Sequence, residues 1–194
     1  MKFLTHYYRT GEPPFRSLSA LTDSEALRIA SELKNETALV YKRFNKYEKY
    51  WLQRRETEQW LRNEFIKKGG QPKVEYPHYM VLGTSSYIRE GYDNMCSEIR
   101  ILLSEFSEEE ISFTYPGSMV SRWLEKQKHE IYYQSAYHGK VFTLTEILEI
   151  AAQYGIPEQE WKHEPNRAFD FFVEAQIWNF KPLEKYILKP IRFS

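Results

Sequence analysis

From Phe44 to Lys68 the chain contains no proline and no glycine, and Glu, Lys, Gln, Arg and Leu are frequent. These residues favour helix, so the fold must accommodate substantial helical structure here. The apolar stripe is discontinuous. Tyr47, Tyr50 and Trp51 mark one face, and Leu61 and Phe65 mark another at a spacing of four. That break predicts two helices meeting near Arg54-Arg55. Lys67-Lys68 complement the helix dipole at the end, and Gly69 supplies the stop.

The flanking segments are shorter and of both kinds. Residues 2–9 are rich in aromatic and β-favouring types and predict a first strand, stopped by Gly11-Glu12-Pro13-Pro14. Thr22-Asp23-Ser24-Glu25 is a capping box that opens a helix to about Lys34. Tyr79–Leu82, Ile99–Leu103 and Ile111–Tyr115 predict strands, and residues 118–128 a helix. Glu130–Tyr133 and Val141-Phe142 read as further short strands. A second capping box at Thr143–Glu146 opens a helix through Tyr154, ended by Gly155. Phe171–Trp178 favours a strand, with helix as the alternative. Tyr115-Pro116-Gly117-Ser118 fits a type II turn with Gly at the positive-φ corner and Ser118 capping the next helix. Strands and helices do not alternate regularly, which points to an α+β fold. The expectation is one compact domain over residues 1–181, with a mixed or antiparallel sheet and several helices packed on it. Residues 182–194 read as a C-terminal extension docking on its own domain or on a second subunit.

Composition limits the function classes. Of 194 residues, 27 are basic and 27 acidic, which argues against a uniformly basic nucleic-acid binder. The zero is a sum of opposed halves, however. Residues 1–72 carry 14 basic and 9 acidic groups, and residues 73–194 carry 13 and 18. A local positive face therefore remains open, as does attraction between the halves within the fold or across a dimer. Aromatic residues make up 16 %, enough large apolar surface for a real core and against disorder throughout. The single cysteine, Cys96, excludes an internal disulfide and reads as a small buried residue. Neither a secretory signal nor an apolar run of membrane-spanning length is evident, so a cytoplasmic protein with no membrane partner is expected.

The familiar mechanistic signatures are missing. The chain has no phosphate-binding P-loop, no dinucleotide-binding GxGxxG, no HExxH and no nucleophile elbow. Five histidines are present: His6, His78, His129, His138 and His163. No two stand at i,i+3 or i,i+4, so none forms a ready helical metal pair; a site assembled from distant strands stays open, and the cofactor is unknown. His6, His78 and His138 each adjoin tyrosines at element edges. Imidazole and phenol together supply proton donors and acceptors, and these three are the catalytic candidates. Arg9 and Arg16 offer planar cations for carboxylate or phosphate. With Tyr79 and Ser85 they are the anion- or ligand-binding candidates, Ser85 lying in Gly83-Thr84-Ser85-Ser86 after a strand. The simpler reading of that segment is a turn or helix N-cap.

Tyr137-His138-Gly139 and Gly83-Thr84-Ser85 each resemble part of the His-Gly-Thr opening of NAD-using ADP-ribosyltransferase-like domains. In this chain the two pieces are separated, and Lys140 stands where that pattern has a hydroxyl. No functional residue is carried over from the resemblance.

The main functional expectation is a small anionic metabolite or nucleotide bound in a His/Tyr/Arg-lined pocket, with or without catalysis. Convergence of His6, Arg9, His78, Tyr79 and His138 is its structural condition. One alternative is nucleic-acid contact through residues 42–68, where nine basic residues meet four acids and six aromatics interleave. Trp51, Arg54 and Arg55 would lead that contact. The other is a non-catalytic interaction protein, including a homodimer, using Glu105–Glu110 or the C-terminal segment.

Overall fold

A computed structural model describes residues 2–157 and 164–187. His163 and residues 188–194 lie outside the described residues. In chain order the elements are β1 (Phe3–Arg9), α1 (Asp23–Leu33), α2 (Tyr47–Lys67), β2 (His78–Leu82), α3 (Ser86–Gly91) and β3 (Cys96–Leu102). β4 (Ile111–Thr114), α4 (Ser118–Gln127), α5 (Leu144–Tyr154), β5 (Glu174–Ile177) and α6 (Lys181–Ile187) follow. Short 3-10 segments at Leu18–Ala20 and Leu39–Lys46 precede α1 and α2. The strands form one antiparallel sheet in the order β3-β1-β2-β5-β4, so the fold is α+β in a single compact domain.

Strand alternation divides the sheet into two unlike faces. Leu4, Met80, Leu82, Ile101, Ile111, Phe113, Ala175 and Ile177 share one face and belong to the main core. Ile147 of α5 and Leu183 of α6 complete that core. The opposite face carries Thr5, Tyr7, Tyr79, Ser112, Thr114, Glu174 and Gln176. Thr5, Ser112, Thr114 and Gln176 are polar yet fully buried. Trp178 Nε1 donates to Ser112 Oγ at 2.8 Å, Ser112 donates to Gln176 Oε1 at 2.9 Å, and Gln176 Nε2 donates to Thr114 Oγ1 at 3.2 Å. This relay satisfies the buried polar layer, as burial requires.

Helix α2 covers that polar face. Leu61 and Phe65 cluster with Trp178, Val141 and Tyr79, while Tyr50 joins Ala30, Ala38, Tyr41 and Phe44 in a second cluster. The expected pair of helices is one unbroken helix of 21 residues. Its buried residues are Tyr50, Thr57, Glu58, Leu61 and Phe65, so the inward stripe continues through a polar middle. An apolar-only reading sees that middle as a break.

Other differences are local. Glu130–Tyr133 is a turn after α4, whose C-cap Lys128 is left-handed at φ 48°. Phe142 makes only an isolated bridge to Phe113. The Tyr115-Pro116 bond is cis, and Gly117 has φ −51°, so the turn is not type II. Gly117 is closely approached instead: a Cβ there would stand 2.8 Å from the tip of the Phe172 ring, which would have to shift. Ser118 does not cap α4 with its side chain; its N–H donates to Glu174 instead. Both capping boxes form as expected, at Thr22–Glu25 and Thr143–Glu146. In α6, Leu183 is buried, and Tyr186 and Lys185 both engage Glu105, so this start of the C-terminal segment packs on its own domain. Among the described residues only Lys68–Glu146 is an ion pair between the positive and negative halves. No described helix is long and apolar enough to cross a membrane.

Candidate functional site

The polar middle of α2 meets the polar face of the sheet in a charged seam. Glu58 of α2 is 1 % exposed and its Oε1 collects three donors. They are Ser19 Oγ at 2.7 Å, Tyr79 hydroxyl at 2.9 Å and Arg54 Nη2 at 3.1 Å. Glu58 Oε2 is buried and has no partner among the described residues. Arg54, one turn earlier, also donates from Nε to Ser19 Oγ at 2.5 Å and from Nη1 to Tyr50 hydroxyl at 3.0 Å. Its guanidinium lies 5.0 Å from the Tyr79 ring centre. Burial opposes the charge on Arg54, but Tyr50, Tyr79 and Glu58 outweigh it and hold the guanidinium proton more firmly than usual. Burial pushes the Tyr79 phenol well up, so it stays a donor to Glu58.

Two other buried polar atoms without a described partner lie close by in the chain. Ser17 Oγ is two residues from Ser19, and Tyr47 hydroxyl is on the turn of α2 before Tyr50. A buried polar atom without a hydrogen bond costs on the order of 1–3 kcal/mol. Glu58 Oε2 is the one of the three that lies in the seam.

A second carboxylate borders the seam. Glu174 begins β5, and its Oε1 accepts from Ser118 N–H at 3.2 Å and Gln176 Nε2 at 3.0 Å. Its Oε2 lies beside Gly117, 3.3 Å from where a Cβ would stand. Burial raises the Glu174 carboxyl above the usual range, partly offset by these donors and by Arg54. Arg54 thus acts on both carboxylates. Phe172 also borders Gly117, and beyond it Tyr87 lies 6.2 Å from Phe172 and stacks on Phe171 at 4.1 Å and 3°. Tyr87 is 40 % exposed. The seam thus brings two carboxylates under the influence of one guanidinium, and Glu174 adjoins Gly117 and the Phe172 ring.

The sheet separates the residues singled out from the sequence. Tyr79 and Arg54 meet in the seam. His6 and His78 lie on the opposite face, on either side of Phe15: His6 stacks on it at 4.2 Å and His78 meets it edge-on at 6.5 Å. His6 Nδ1 donates to Tyr79 O at 3.1 Å, and Nε2 accepts from Phe15 N–H at 2.9 Å. Burial brings its imidazole down to about 4, and lowers that of His78 as well. His138 is elsewhere and buried: Nδ1 accepts from Gln134 N–H at 3.0 Å and Nε2 donates to Asp170 at 3.1 Å. Tyr137 hydroxyl donates to the same Asp170 at 2.7 Å, and Arg167 stands 3.6 Å away. These contacts are mutual, as in a structural lock. Both ring nitrogens of His6 and of His138 are occupied, and the expected convergence on one pocket does not occur.

Arg9 and Arg16 are exposed and pair with Glu36 and Glu12. Ser85 caps α3, accepting from Ile88 N–H, while its own N–H donates to Tyr7 hydroxyl at 3.0 Å. Arg55 lies between Trp51 and Tyr76, 4.2 and 4.3 Å from their ring centres, and donates to Ser19 O at 2.8 Å. Trp51 Nε1 donates to Asp23 at 3.1 Å. Of the six aromatics in the basic segment, Phe44, Tyr50 and Phe65 are buried. Cys96 is half-buried on an edge strand, and burial pushes its thiol up.

Glu58 and Glu174 were not among the residues expected from sequence. Glu58 stands on the inward stripe that Tyr50, Leu61 and Phe65 define, and a charged residue on such a stripe was the available signal. Glu174 in Val173-Glu174-Ala175 carries the same signal for a strand. A shallow groove of about 550 Å³ runs along α2, lined by Trp60, Gln59, Asn63, Lys67 and Arg122 among others. There Lys67 pairs with Glu64 and Arg122 donates to Glu56 O, so its charges are spent locally. Among the described residues no group of three or more His, Cys, Asp or Glu is placed to hold a metal ion. Comparison of the chain with protein families, curated proteins and solved structures finds no match.

Proposed function

We propose that the seam binds a small nucleoside-like ligand, with a planar ring against Phe172 and hydroxyl groups donated to Glu58 and Glu174. The observation that carries this reading is the unpartnered Oε2 of Glu58, buried beside Arg54 and Tyr79. A buried carboxylate oxygen seeks a donor, and ligand hydroxyls are donors. The aromatic wall of Phe172, Phe171 and Tyr87 supplies the stacking surface that a base requires and a simple inorganic ion does not. Glu174, whose carboxyl burial raises, keeps its proton to higher pH than an exposed glutamate. It is the group in the seam equipped to hand a proton to a bound ligand, as a general acid must.

The test is calorimetric titration with adenosine against the wild type, E58Q and E174Q, with circular dichroism confirming the fold of each. The expected result is saturable binding to the wild type, weakened at least tenfold by either substitution, about 1.4 kcal/mol. Absence of binding at millimolar adenosine overturns the reading. So does binding that both folded variants retain in full.

A further inference from the structure

We propose that Arg43 and Tyr50, with Arg54 supporting the phenol from behind, form an anion subsite that takes the phosphate end of a nucleotide. The inference rests on the nucleoside reading of the seam and adds the ligand's charged end.

Two guanidinium groups converge on one phenol. Arg43 lies 5.6 Å from the Tyr50 ring centre and 5.1 Å from that of Phe44. From the other side Arg54 donates to the Tyr50 hydroxyl at 3.0 Å. Among the described residues Arg43 makes no ion pair and no side-chain hydrogen bond. By contrast, Arg9, Arg16, Arg28, Arg89 and Arg100 each pair with a glutamate. Arg43 is exposed, so its guanidinium is accessible to a ligand and is fixed only by the rings beneath it. An arginine carries five N–H donors, and Arg54 directs three of its nitrogens at Ser19, Tyr50 and Glu58. That guanidinium is buried, and its three contacts hold it fixed behind the Tyr50 hydroxyl. Burial alone would raise the Tyr50 phenol, yet Arg43 and Arg54 pull it below its usual value, the mark of a positive local field. Planar guanidinium pairs bind phosphate oxygens well, and the phenol adds a neutral donor.

Tyr50 and Glu58 stand on one continuous helix, and their side chains meet on the same Arg54 guanidinium, at 3.0 and 3.1 Å. Arg54 stands between them and touches both. A ribose on the carboxylates thus has its phosphates directed along α2 toward Tyr50 and Arg43. The exposed charge of Arg43 sits at the Tyr50 end, while Arg54 reaches from Tyr50 to Glu58 and acts on Glu174 as well.

Calorimetry with ADP, adenosine and inorganic pyrophosphate tests the inference on wild type and on R43A, a change at an exposed position, with a thermal melt to check the fold of the variant. ADP is expected to bind the wild type at least tenfold more tightly than adenosine. R43A should lose five- to tenfold for ADP and nothing for adenosine, and the ADP advantage should shrink with added salt. Equal affinities for ADP and adenosine overturn the anion subsite while leaving the nucleoside reading standing, as does an unchanged ADP affinity in R43A. Pyrophosphate binding as tightly as ADP shows a plain anion site and overturns the nucleotide assignment. No binding of ADP or adenosine overturns both.

Discussion

Glu58 is held by a guanidinium, a phenol and a serine, all on one of its two oxygens. Removing the cation should therefore be costly. R54M leaves a buried carboxylate without its charge partner, and such losses run to about 3–5 kcal/mol. Urea denaturation checks this. A loss below about 1 kcal/mol contradicts the picture of Arg54 as the charge that makes Glu58 tolerable. Gly117 is constrained in another way. Its φ of −51° suits any residue, but a Cβ would press on the Phe172 ring and the Glu174 carboxylate. G117A should cost about 1–3 kcal/mol as an overpacking change and displace the wall of the proposed site. An unchanged denaturation midpoint contradicts that. Sequence alone made Gly117 a positive-φ turn glycine; the close approach of Phe172, 55 positions along the chain, is a tertiary fact with no local signal.

At the level of elements, β1 and β2 carry a pH dependence. His6 ties β1 to Tyr79 of β2 and to Phe15, and burial brings its pKa from 6.5 to about 4. The unfolded chain then binds a proton that the folded chain refuses between those values. Stability from this group is complete above about pH 6.5 and falls as pH drops toward 4, by up to about 3 kcal/mol. Glu174 on β5 acts with the opposite sign, because its folded pKa is raised. Its contribution is present below the ordinary glutamate value of 4.5 and is lost as pH rises through the raised one. Denaturation curves between pH 4 and 7.5 should separate the two. H6Q should flatten the acid loss, and E174Q should remove the opposing slope. A wild-type slope that H6Q leaves intact contradicts the assignment. The elements themselves were largely legible: both capping boxes, five strand segments and the helices before Lys34, after Gly117 and before Gly155 follow from local pattern. Helix α2 was misread as two because its buried stripe passes through Thr57 and Glu58. Periodicity finds burial through apolar residues, and here the burial is polar.

For the whole molecule, the sheet explains why the site was harder to read than the fold. Neighbouring positions on a strand face opposite ways, so His78 and Tyr79 are separated by the sheet although adjacent in sequence. The order β3-β1-β2-β5-β4 sets Glu174 next to Val81 and Thr114, pairings that no local pattern encodes. Tyr79 and Arg54 were each singled out from sequence, but for different roles, and only tertiary packing joins them through Glu58. The polar face covered by α2 contrasts with the apolar core on the other side of the sheet, and among the described residues Glu58 Oε2 is the atom of the seam without a hydrogen bond. A crystal structure of the protein grown with adenosine tests that most directly. The ligand is expected between α2 and β5, with a hydroxyl within about 3.2 Å of Glu58 Oε2 and the base against Phe172. Adenosine bound elsewhere, with Glu58 Oε2 satisfied by a protein group, would contradict it.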